Sequence, residues 1–321
     1  MNTIGKITIA GMLILAIVPP VLLLSGQAFY MDLATRLVIL GIGAVSLNLI
    51  LGFGGMVSFG HAAFIGLGAY AVGIPAYHAT YGEFEMVASY NGLLHIALAV
   101  GFSALFALIT GAISLRTKGV YFIMITMAFG QMAYYFFLSL DIYGGDDGLT
   151  IDVRSELPLI NLDSPMQLYG LSYVSLAVAM YLVHRMVNSR FGMVLQGTKG
   201  NVERMATLGY NTYYYQLLAY VISGAMCGYA GFLLGNFTTF ISPDMMHWTR
   251  SGELMFMVIL GGASTALGPI LGSSLFILLE EILSSFTIYW HLPFGLLLIL
   301  VVLFIRGGIM GLFKNMGGSS K

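Results

Sequence analysis

Residues 37 to 82 read LVILGIGAVSLNLILGFGGMVSFGHAAFIGLGAYAVGIPAYHATYG, and this stretch contains no Asp, Glu, Lys or Arg. A helix needs about 20 apolar residues to cross about 30 Å of bilayer hydrocarbon, so the stretch is long enough for two spans. Two spans of that length would meet near residues 52–60, where glycine is dense. The stretch therefore predicts a pair of membrane helices with a glycine-rich break between them.

The composition of the whole chain supports a membrane protein. Of 321 residues, 58% are hydrophobic and 8% are charged, and the mean hydropathy is +0.89. Soluble domains are about 25% charged, and a disordered chain combines low hydrophobicity with high net charge. The single cysteine, Cys227, excludes an internal disulfide, and a net charge of −1 gives no basic surface for nucleic acid. We expect residues 1–321 to form one polytopic transmembrane domain.

Further charge-free runs extend this interpretation along the chain. They are apolar on every face, whereas barrel strands alternate polar and apolar residues over about 10 positions. The first run, from residue 7, is longer than the core of a secretory signal, so we expect it to be retained. The sequence predicts an all-α helix bundle of about ten spans. Nine is the alternative, because the last three are short or end near charged residues. The expected spans are 7–25, 34–51, 61–77, 92–114, 119–140, 166–187, 213–237, 252–265, 269–286 and 290–305.

The positions of Lys and Arg predict the orientation, because short basic loops stay on the cytoplasmic side. Arg116 and Lys118 share one short loop, and four basic residues lie between 185 and 204. The segment 141–163 instead carries six acidic residues and one arginine. We therefore expect 188–212 to be a cytoplasmic loop, 141–165 to be a periplasmic loop, and both termini to be cytoplasmic.

Glycine is concentrated in two segments, 51–70 and 260–272. Both contain a Gly-Gly pair, a hydroxyl residue, a further glycine and then an apolar helix. Paired helix breaks in a membrane are typical of transport pathways, although glycine also permits close helix packing. The sequence predicts interrupted helices near 52–60 and 261–268 that line a path. The candidate pathway residues are Gly54, Gly55, Ser58, Gly60, His61, Phe64, Gly261, Gly262 and Gly268.

The expected cytoplasmic loop contains a second informative segment. Residues 201–208 predict a short helix, in which Asn201 caps the start, Glu203 complements the positive end and Gly209 stops the last turn. Such a helix is either an interfacial linker or a docking element for a cytoplasmic partner. Glu203 and Gly209 stand at the six-residue offset found in the coupling loop of ATP-driven importers, although Arg204 and Met205 replace two alanines of that pattern. The candidate coupling residues are Glu203, Ala206 and Gly209.

Motifs of enzymes are absent from the sequence. It contains no G-x-x-x-x-G-K-[ST] phosphate loop, no H-E-x-x-H and no G-x-S-x-G. The segment GGDDG at 144–148 predicts an exposed turn rather than a metal site. Ion-driven carriers usually bury a carboxylate in the membrane, whereas the ionisable candidates here can all lie at span ends, which argues against ion coupling. These candidates are His61, His95, Asp141, Glu280 and Glu281.

Three separated motifs carry a family resemblance over residues 35–310. The first comprises NLILGFGG at 48–55, SFGHAAF at 58–64 and GAY at 68–70; the second is GGDDGL at 144–149; the third runs from SP at 242–243 through HWTRSGE at 247–253 and VILGG at 258–262 to LGP at 267–269. The chain resembles the permease family of bacterial branched-chain amino acid ABC importers. The last two motifs resemble its M-type subunit.

The resemblance implies a heteromeric importer in the bacterial inner membrane that works by alternating access. The implied partners are a second, paralogous permease subunit, two cytoplasmic ATPase subunits, a periplasmic substrate-binding protein and membrane lipid. No cofactor is expected in this chain, since ATP and Mg would be bound by the ATPase subunits. The implied substrates are leucine, isoleucine, valine or similar small amphipathic carboxylates. Asp146, Asp147 and Arg250 are the candidate residues for docking of the binding protein.

Other functions remain open on the sequence. Within the same class, the substrate could be urea, a short amide or an aromatic acid. From other classes, the chain could be an ion-coupled secondary transporter working alone, or an assembly subunit that carries no substrate.

Overall fold

Twelve α-helices form most of the chain that the structure describes. The computed structural model describes residues 3–82, 88–304 and 307–311. A π-helical turn, Leu49–Phe53, prolongs the second helix, and two short strands form one antiparallel pair. The helices are α1 (Thr3–Leu24), α2 (Ala28–Asn48), α3 (His61–Tyr81), α4 (Gly92–Ser114), α5 (Val120–Leu138), α6 (Pro165–Val187), α7 (Arg190–Gly200), α8 (Val202–Thr207), α9 (Thr212–Thr238), α10 (Trp248–Gly261), α11 (Gly268–Phe286) and α12 (His291–Phe304), and the strands are β1 (Leu149–Thr150) and β2 (Phe240–Ile241).

Seven of the described helices are long and apolar enough to cross a bilayer. They are α2 with its π turn, α3, α4, α5, α6, α9 and α11. The predicted all-α membrane helix bundle is therefore confirmed. Helices α10 and α12 have 14 residues each, and the apolar part of α1 is Gly11–Leu23, so the number of ten spans stays a prediction.

Both predicted interruptions are present. Helical structure ends at Phe53 and resumes at His61, and it ends again at Gly261 and resumes at Gly268. The eighth expected span, 252–265, is shifted: α10 already begins at Trp248 and ends before residue 262, because Gly262 leaves the helical region with a φ of 113°.

The centre of the bundle is the contact between α3 and α9. A Cβ at Gly68 would lie 1.9 Å from the Gly228 carbonyl oxygen, and one at Gly231 would lie 2.0 Å from the Ile65 carbonyl oxygen. The two backbones therefore approach closely through small residues, as in many membrane helix pairs. Helices α2 and α4 pack on α9, α6 packs on α2, and α11 packs on α10.

The two ends of the bundle differ in structure. One end, which we name the strand end, carries β1, β2 and the segments 139–164 and 238–247. The GGDDG segment is a turn there, with Asp146 and Asp147 exposed, as the sequence predicts. The opposite end, named the loop-helix end, carries the segments 54–60, 115–119, 188–211 and 262–267.

Two helices occupy the loop expected at 188–212. The predicted short helix is confirmed as α8: the Asn201 side chain accepts a hydrogen bond from the Arg204 N–H at 2.9 Å, and Gly209 ends the segment with a φ of 88°. Helix α7 was not predicted. It is capped by Ser189, whose hydroxyl accepts a hydrogen bond from the Gly192 N–H at 3.4 Å.

Candidate functional site

The two glycine breaks meet at the loop-helix end. In the last turn of α2, the Asn48 amide nitrogen donates to the Thr265 carbonyl at 2.9 Å, and its oxygen accepts from the Ser264 N–H at 3.0 Å. The Ser264 hydroxyl also donates to the Gly52 carbonyl oxygen. Three hydrogen bonds therefore connect two segments that are more than 200 residues apart in the sequence. We name this arrangement the break junction.

Lys199 of α7 joins the break junction from the loop. Its ammonium group donates to the Gly52 carbonyl oxygen at 2.6 Å and to the Ser264 hydroxyl at 3.0 Å. The aliphatic part of the side chain lies over Gly55, where a Cβ would be 2.8 Å from the Lys199 Cγ. A single side chain of the loop thus contacts both breaks. The sequence singled out the loop but missed this residue, which a basic position at the end of the amphipathic segment 190–200 could have indicated.

The second break is also a tight helix contact. A Cβ at Gly261 would lie 1.6 Å from the Gly268 carbonyl oxygen, and one at Gly272 would lie 1.7 Å from the Met257 carbonyl oxygen. Helices α10 and α11 therefore approach each other through backbone atoms. Close packing accounts for these glycines in the present conformation, and a role of Gly261, Gly262 and Gly268 in a path stays a prediction.

The other candidate pathway residues lie inside the bundle, around His61 at the start of α3. His61 is fully buried, and its Nε2 lies 3.1 Å from the Ser223 hydroxyl and 3.3 Å from the Ser46 hydroxyl. Its ring packs edge-on against Phe64, with centroids 5.1 Å apart. These groups connect α2, α3 and α9, so His61 has the surroundings of a packed, hydrogen-bonded histidine.

Ser58 and Gly60 border the same interior. The Ser58 hydroxyl lies 3.5 Å from the Tyr220 hydroxyl, and a Cβ at Gly60 would lie 2.3 Å from the Thr126 carbonyl oxygen of α5. The buried Ser58 and the close contact at Gly60 place the end of the first break against α5 and α9. Their part in a path stays a prediction.

The candidate coupling residues form an exposed surface at the loop-helix end. Glu203, Ala206 and Gly209 are all exposed, and the described part of α8 has no buried residue. Met205 attaches α8 to α7, because a Cβ at Gly197 would lie 2.6 Å from its sulfur. The exposed apolar residue Leu208 adds to this surface. The arrangement leaves α8 accessible to a partner and connects it, through α7, to the break junction.

The candidate docking residues lie at two levels of the molecule. Asp146 and Asp147 are exposed in the turn before β1. Arg250, in the first turn of α10, forms an ion pair with Glu253 at 2.9 Å and keeps 48% of its side chain exposed. Asp146 and Asp147 are therefore accessible at the strand end, whereas Arg250 lies deeper, since the hydroxyl of the neighbouring Ser251 accepts a hydrogen bond from the Ala62 N–H at the start of α3 at 2.9 Å.

A second ion pair lies close to the strand end but within the helices. Arg36 of α2 donates to a carboxylate oxygen of Glu280 in α11 at 2.8 Å, and the Glu280 side chain is 16% exposed. Glu280, which the sequence allowed at a span end, lies six residues before the end of α11 at Phe286, and its carboxylate is paired across helices. Charged groups inside a membrane domain are costly and therefore point to function.

An apolar groove opens on the outer surface of the bundle. The groove has a volume of about 850 Å³ between α3, α4 and α5, its walls are almost entirely apolar, and its lining includes the exposed side chains of Phe102, Met132 and Phe136. The hydroxyl of Tyr70, which lines it, has no hydrogen-bond partner among the described residues. Within the same described residues, no group of three or more His, Cys, Asp or Glu side chains could hold a metal ion.

A bundle of apolar helices with helix breaks joined to a loop at one end has the architecture of a membrane transport component. Comparison with known families makes this more specific. Residues 29–305 match the family described as branched-chain amino acid transport system / permease component. The chain belongs to this family and is a multi-pass membrane protein.

Individual relatives agree with the family. The chain is 24% identical to the high-affinity branched-chain amino acid transport system permease protein LivM of Escherichia coli (strain K12), covering 95% of this chain and 75% of that protein. It is 30% identical to LivH of the same strain over 38% of this chain and 40% of that protein. It is 25% identical to the autoinducer 2 import system permease protein LsrC of Yersinia pseudotuberculosis over 61% of each chain. No solved structure matches the chain.

Proposed function

We propose that this chain is the transmembrane permease subunit of an ATP-driven, binding-protein-dependent importer of branched-chain or similar amino acids. The observation that carries the proposal is the break junction, in which one lysine of an exposed loop holds both helix breaks. Family membership over residues 29–305 and the likeness to LivM support the substrate class.

The break junction suggests how a motion of a cytoplasmic partner would reach the membrane helices. An ATPase subunit bound to α8 would displace α7, because Met205 packs against Gly197. Displacement of α7 would move the Lys199 ammonium relative to the Gly52 carbonyl and the Ser264 hydroxyl. Both breaks would then rearrange together, as alternating access requires. The ATPase state shifts this equilibrium only if it binds one arrangement more tightly than the other.

The proposed complex contains partners on both sides of the inner membrane. Two ATPase subunits would bind ATP and Mg at the loop-helix end, which we place in the cytoplasm together with both termini. A periplasmic binding protein would dock on the strand end near Asp146, Asp147 and Arg250, and a second permease subunit would complete the path. Clustered Lys and Arg at the loop-helix end support this orientation.

Two alternatives are separable from this proposal. The autoinducer 2 import system permease protein LsrC is also similar to this chain, so another small polar substrate is the alternative within the class. The half-buried Arg36–Glu280 pair is the observation that favours an ion-coupled secondary transporter.

Reconstitution in vesicles tests the proposal. The permease is purified with its partner subunits, and uptake of radiolabelled leucine is measured with and without ATP and the binding protein. We expect uptake only when both are present. Uptake driven by a proton or sodium gradient alone would contradict the proposal and favour the secondary transporter. ATP-dependent uptake of another substrate in place of leucine would support the proposed mechanism but contradict the proposed substrate.

A further inference from the structure

A charged cleft opens near the strand end, between α2, α9 and α10. Its volume is about 170 Å³, many times the roughly 10–15 Å³ that one water molecule requires on the same measure. Its polar wall consists of Arg36, Thr238, Arg250 and Glu253, and the rest is lined by Leu, Ile and Met side chains, among them Ile65 and Leu234. The cleft therefore combines a charged edge with an aliphatic wall.

The charges around the cleft sum to zero. Arg36 pairs with Glu280 at 2.8 Å, and Arg250 pairs with Glu253 at 2.9 Å. We name these four residues the charge quartet. With two cations and two anions, the quartet imposes no net charge on a ligand. A monovalent anion or cation would leave an unbalanced charge at membrane depth, whereas a zwitterion would not.

The arginines of the charge quartet keep donors for a ligand. A guanidinium has five N–H groups in a planar fork. Among the described residues, the Arg36 side chain makes its hydrogen bond through Nη2, and Arg250 makes its hydrogen bonds through Nη1. Their side chains are 34% and 48% exposed, so the remaining N–H groups can receive a carboxylate in the bidentate geometry that arginine favours.

Acceptors are present for an ammonium group as well. Glu253 lines the cleft and is 19% exposed. The Thr238 hydroxyl lies 2.9 Å from the Leu234 carbonyl oxygen and 2.8 Å from the Phe240 carbonyl oxygen and donates its single proton to one of them, which leaves its own oxygen to accept. Nearby, the buried Glu280 Oε2 accepts no hydrogen bond from any described residue.

We propose that this cleft is a substrate site within the permease, in which the charge quartet binds the α-carboxylate and α-ammonium groups of a neutral amino acid and the Leu, Ile and Met wall holds its aliphatic side chain. The inference rests on the proposed function and adds that the permease itself selects zwitterions. The position at the strand end suits a site that receives the amino acid as the binding protein releases it.

The first test measures ligand binding without transport. Radiolabelled leucine is equilibrated with the detergent-solubilised permease and its partner subunits in the absence of the binding protein. We expect saturable binding that unlabelled valine competes away. Leucinamide, which lacks the carboxylate, and 4-methylpentanoate, which lacks the ammonium, should compete at least about tenfold more weakly, because each leaves half of the quartet without a partner. Equal competition by either analogue would overturn the inference.

Two variants locate the binding. Arg250→Lys keeps the charge but loses the planar fork, so the affinity for leucine should fall about tenfold; Arg154→Lys, at another ion pair of the strand end, is the matched control. Thr238→Trp fills the exposed mouth of the cleft without altering the quartet and should abolish binding, whereas Thr150→Trp at an exposed position of β1 should not. Unchanged binding in both cleft variants, in complexes that still assemble, would overturn the inference.

The outcomes separate this inference from the proposed function. Suppose that the complex takes up leucine normally with ATP but binds no leucine without its binding protein. The inference of a cleft site would then be wrong, and the proposed function as an importer would stand. If leucine binds at the cleft but uptake is driven by an ion gradient alone, the inference of a cleft site would stand and the proposed function as an ATP-driven importer would be wrong.

Discussion

The two glycine breaks have similar sequences but different surroundings. In the first, Gly52 presents a carbonyl oxygen to Ser264 and Lys199, and Gly55 lies under the Lys199 side chain. In the second, Gly261 lies against Gly268, so backbone contacts backbone. At its Gly54-Gly55 pair the first break is held by side chains that can be withdrawn, although Gly60 at its end meets the backbone of Thr126, whereas the Gly-Gly pair of the second break lies in a fixed helix contact. The same glycine pattern therefore occurs at two breaks that differ in mobility. We name the first, at Gly52–Gly55, the adjustable break and the second, at Gly261–Gly268, the rigid break.

The largest effect is expected at the rigid break. Gly261→Ala places a Cβ 1.6 Å from the Gly268 carbonyl oxygen, and backbone there cannot move aside without separating α10 from α11. Overpacking of this kind costs about 1–3 kcal/mol or more. The yield of monodisperse protein after detergent extraction, and its melting temperature, should both fall sharply. Gly252→Ala, in the same helix with nothing within 4 Å, is the control and should be neutral or stabilising. Equal behaviour of the two variants would show that the second break is not rigid.

The next effect is expected at the lysine of the adjustable break. Lys199→Met keeps an unbranched side chain over Gly55 but removes the donors to Gly52 and Ser264. Hydrogen bonds to charged groups contribute about 1.5–3 kcal/mol, so ATP-dependent uptake should fall at least about tenfold.

The control for Lys199 is Lys118→Met. Lys118 and Lys199 line one pocket of about 270 Å³ at the loop-helix end, and the structure gives the Lys118 ammonium no hydrogen bond among the described residues. Pull-down of the ATPase subunits should be normal for both variants. Lost assembly in Lys199→Met alone would mean that the lysine holds the loop in place rather than transmitting its motion.

A smaller effect is expected at Gly55. Its φ of 70° lies in the left-handed region, where a side chain costs about 1–2 kcal/mol. The Lys199 side chain 2.8 Å from the added Cβ can shift, unlike backbone. Gly55→Ala should therefore retain a folded complex and reduce uptake about fivefold or more, as measured beside its melting temperature. If Gly55→Ala lost as much folded protein as Gly261→Ala, the first break would not be more adjustable than the second.

The smallest effect is expected at α8, beyond the adjustable break. Glu203→Lys reverses an exposed charge at the positive end of a short helix, where the anion contributes about 0.3–1 kcal/mol. Uptake and ATPase pull-down should both decrease by about twofold to fivefold. Glu156→Lys, exposed at the strand end, should leave the pull-down unchanged. If Glu203→Lys left the pull-down unchanged, the ATPase subunits would have to bind at a surface other than α8.

Sequence patterns predicted the elements of this molecule better than the contacts between them. The charge-free runs indicated the spans, and local capping residues such as Asn201 and Gly209 indicated α8, because both signals lie within a few adjacent residues. Helix α7 was missed because three glycines in 190–200 weaken its helical signal.

The contacts at the two ends depend on distant partners. Lys199 and Gly52 are 147 positions apart, and Arg36 and Glu280 are 244 positions apart. Periodicity places each residue on a helix or in a loop but does not specify which group across the bundle it meets. The pairing of Glu280, six positions before the end of α11, with Arg36 of α2 was for this reason not predicted.

The π turn at Leu49–Phe53 has a consequence for insertions and deletions. A π turn accommodates one more residue than the α-helix on either side of it. Deleting one residue between 49 and 53 would convert it to a regular turn and would preserve the length and apolarity of the span. Since the deleted residue is the extra one that the wider turn holds, the residues on either side keep their relative rotation, but the Gly52 carbonyl oxygen, which lies in the turn itself, would shift relative to Lys199. A span of similar length and apolarity would then lack its hydrogen bond to the loop, so the number of residues in this turn is constrained even where their identity is not.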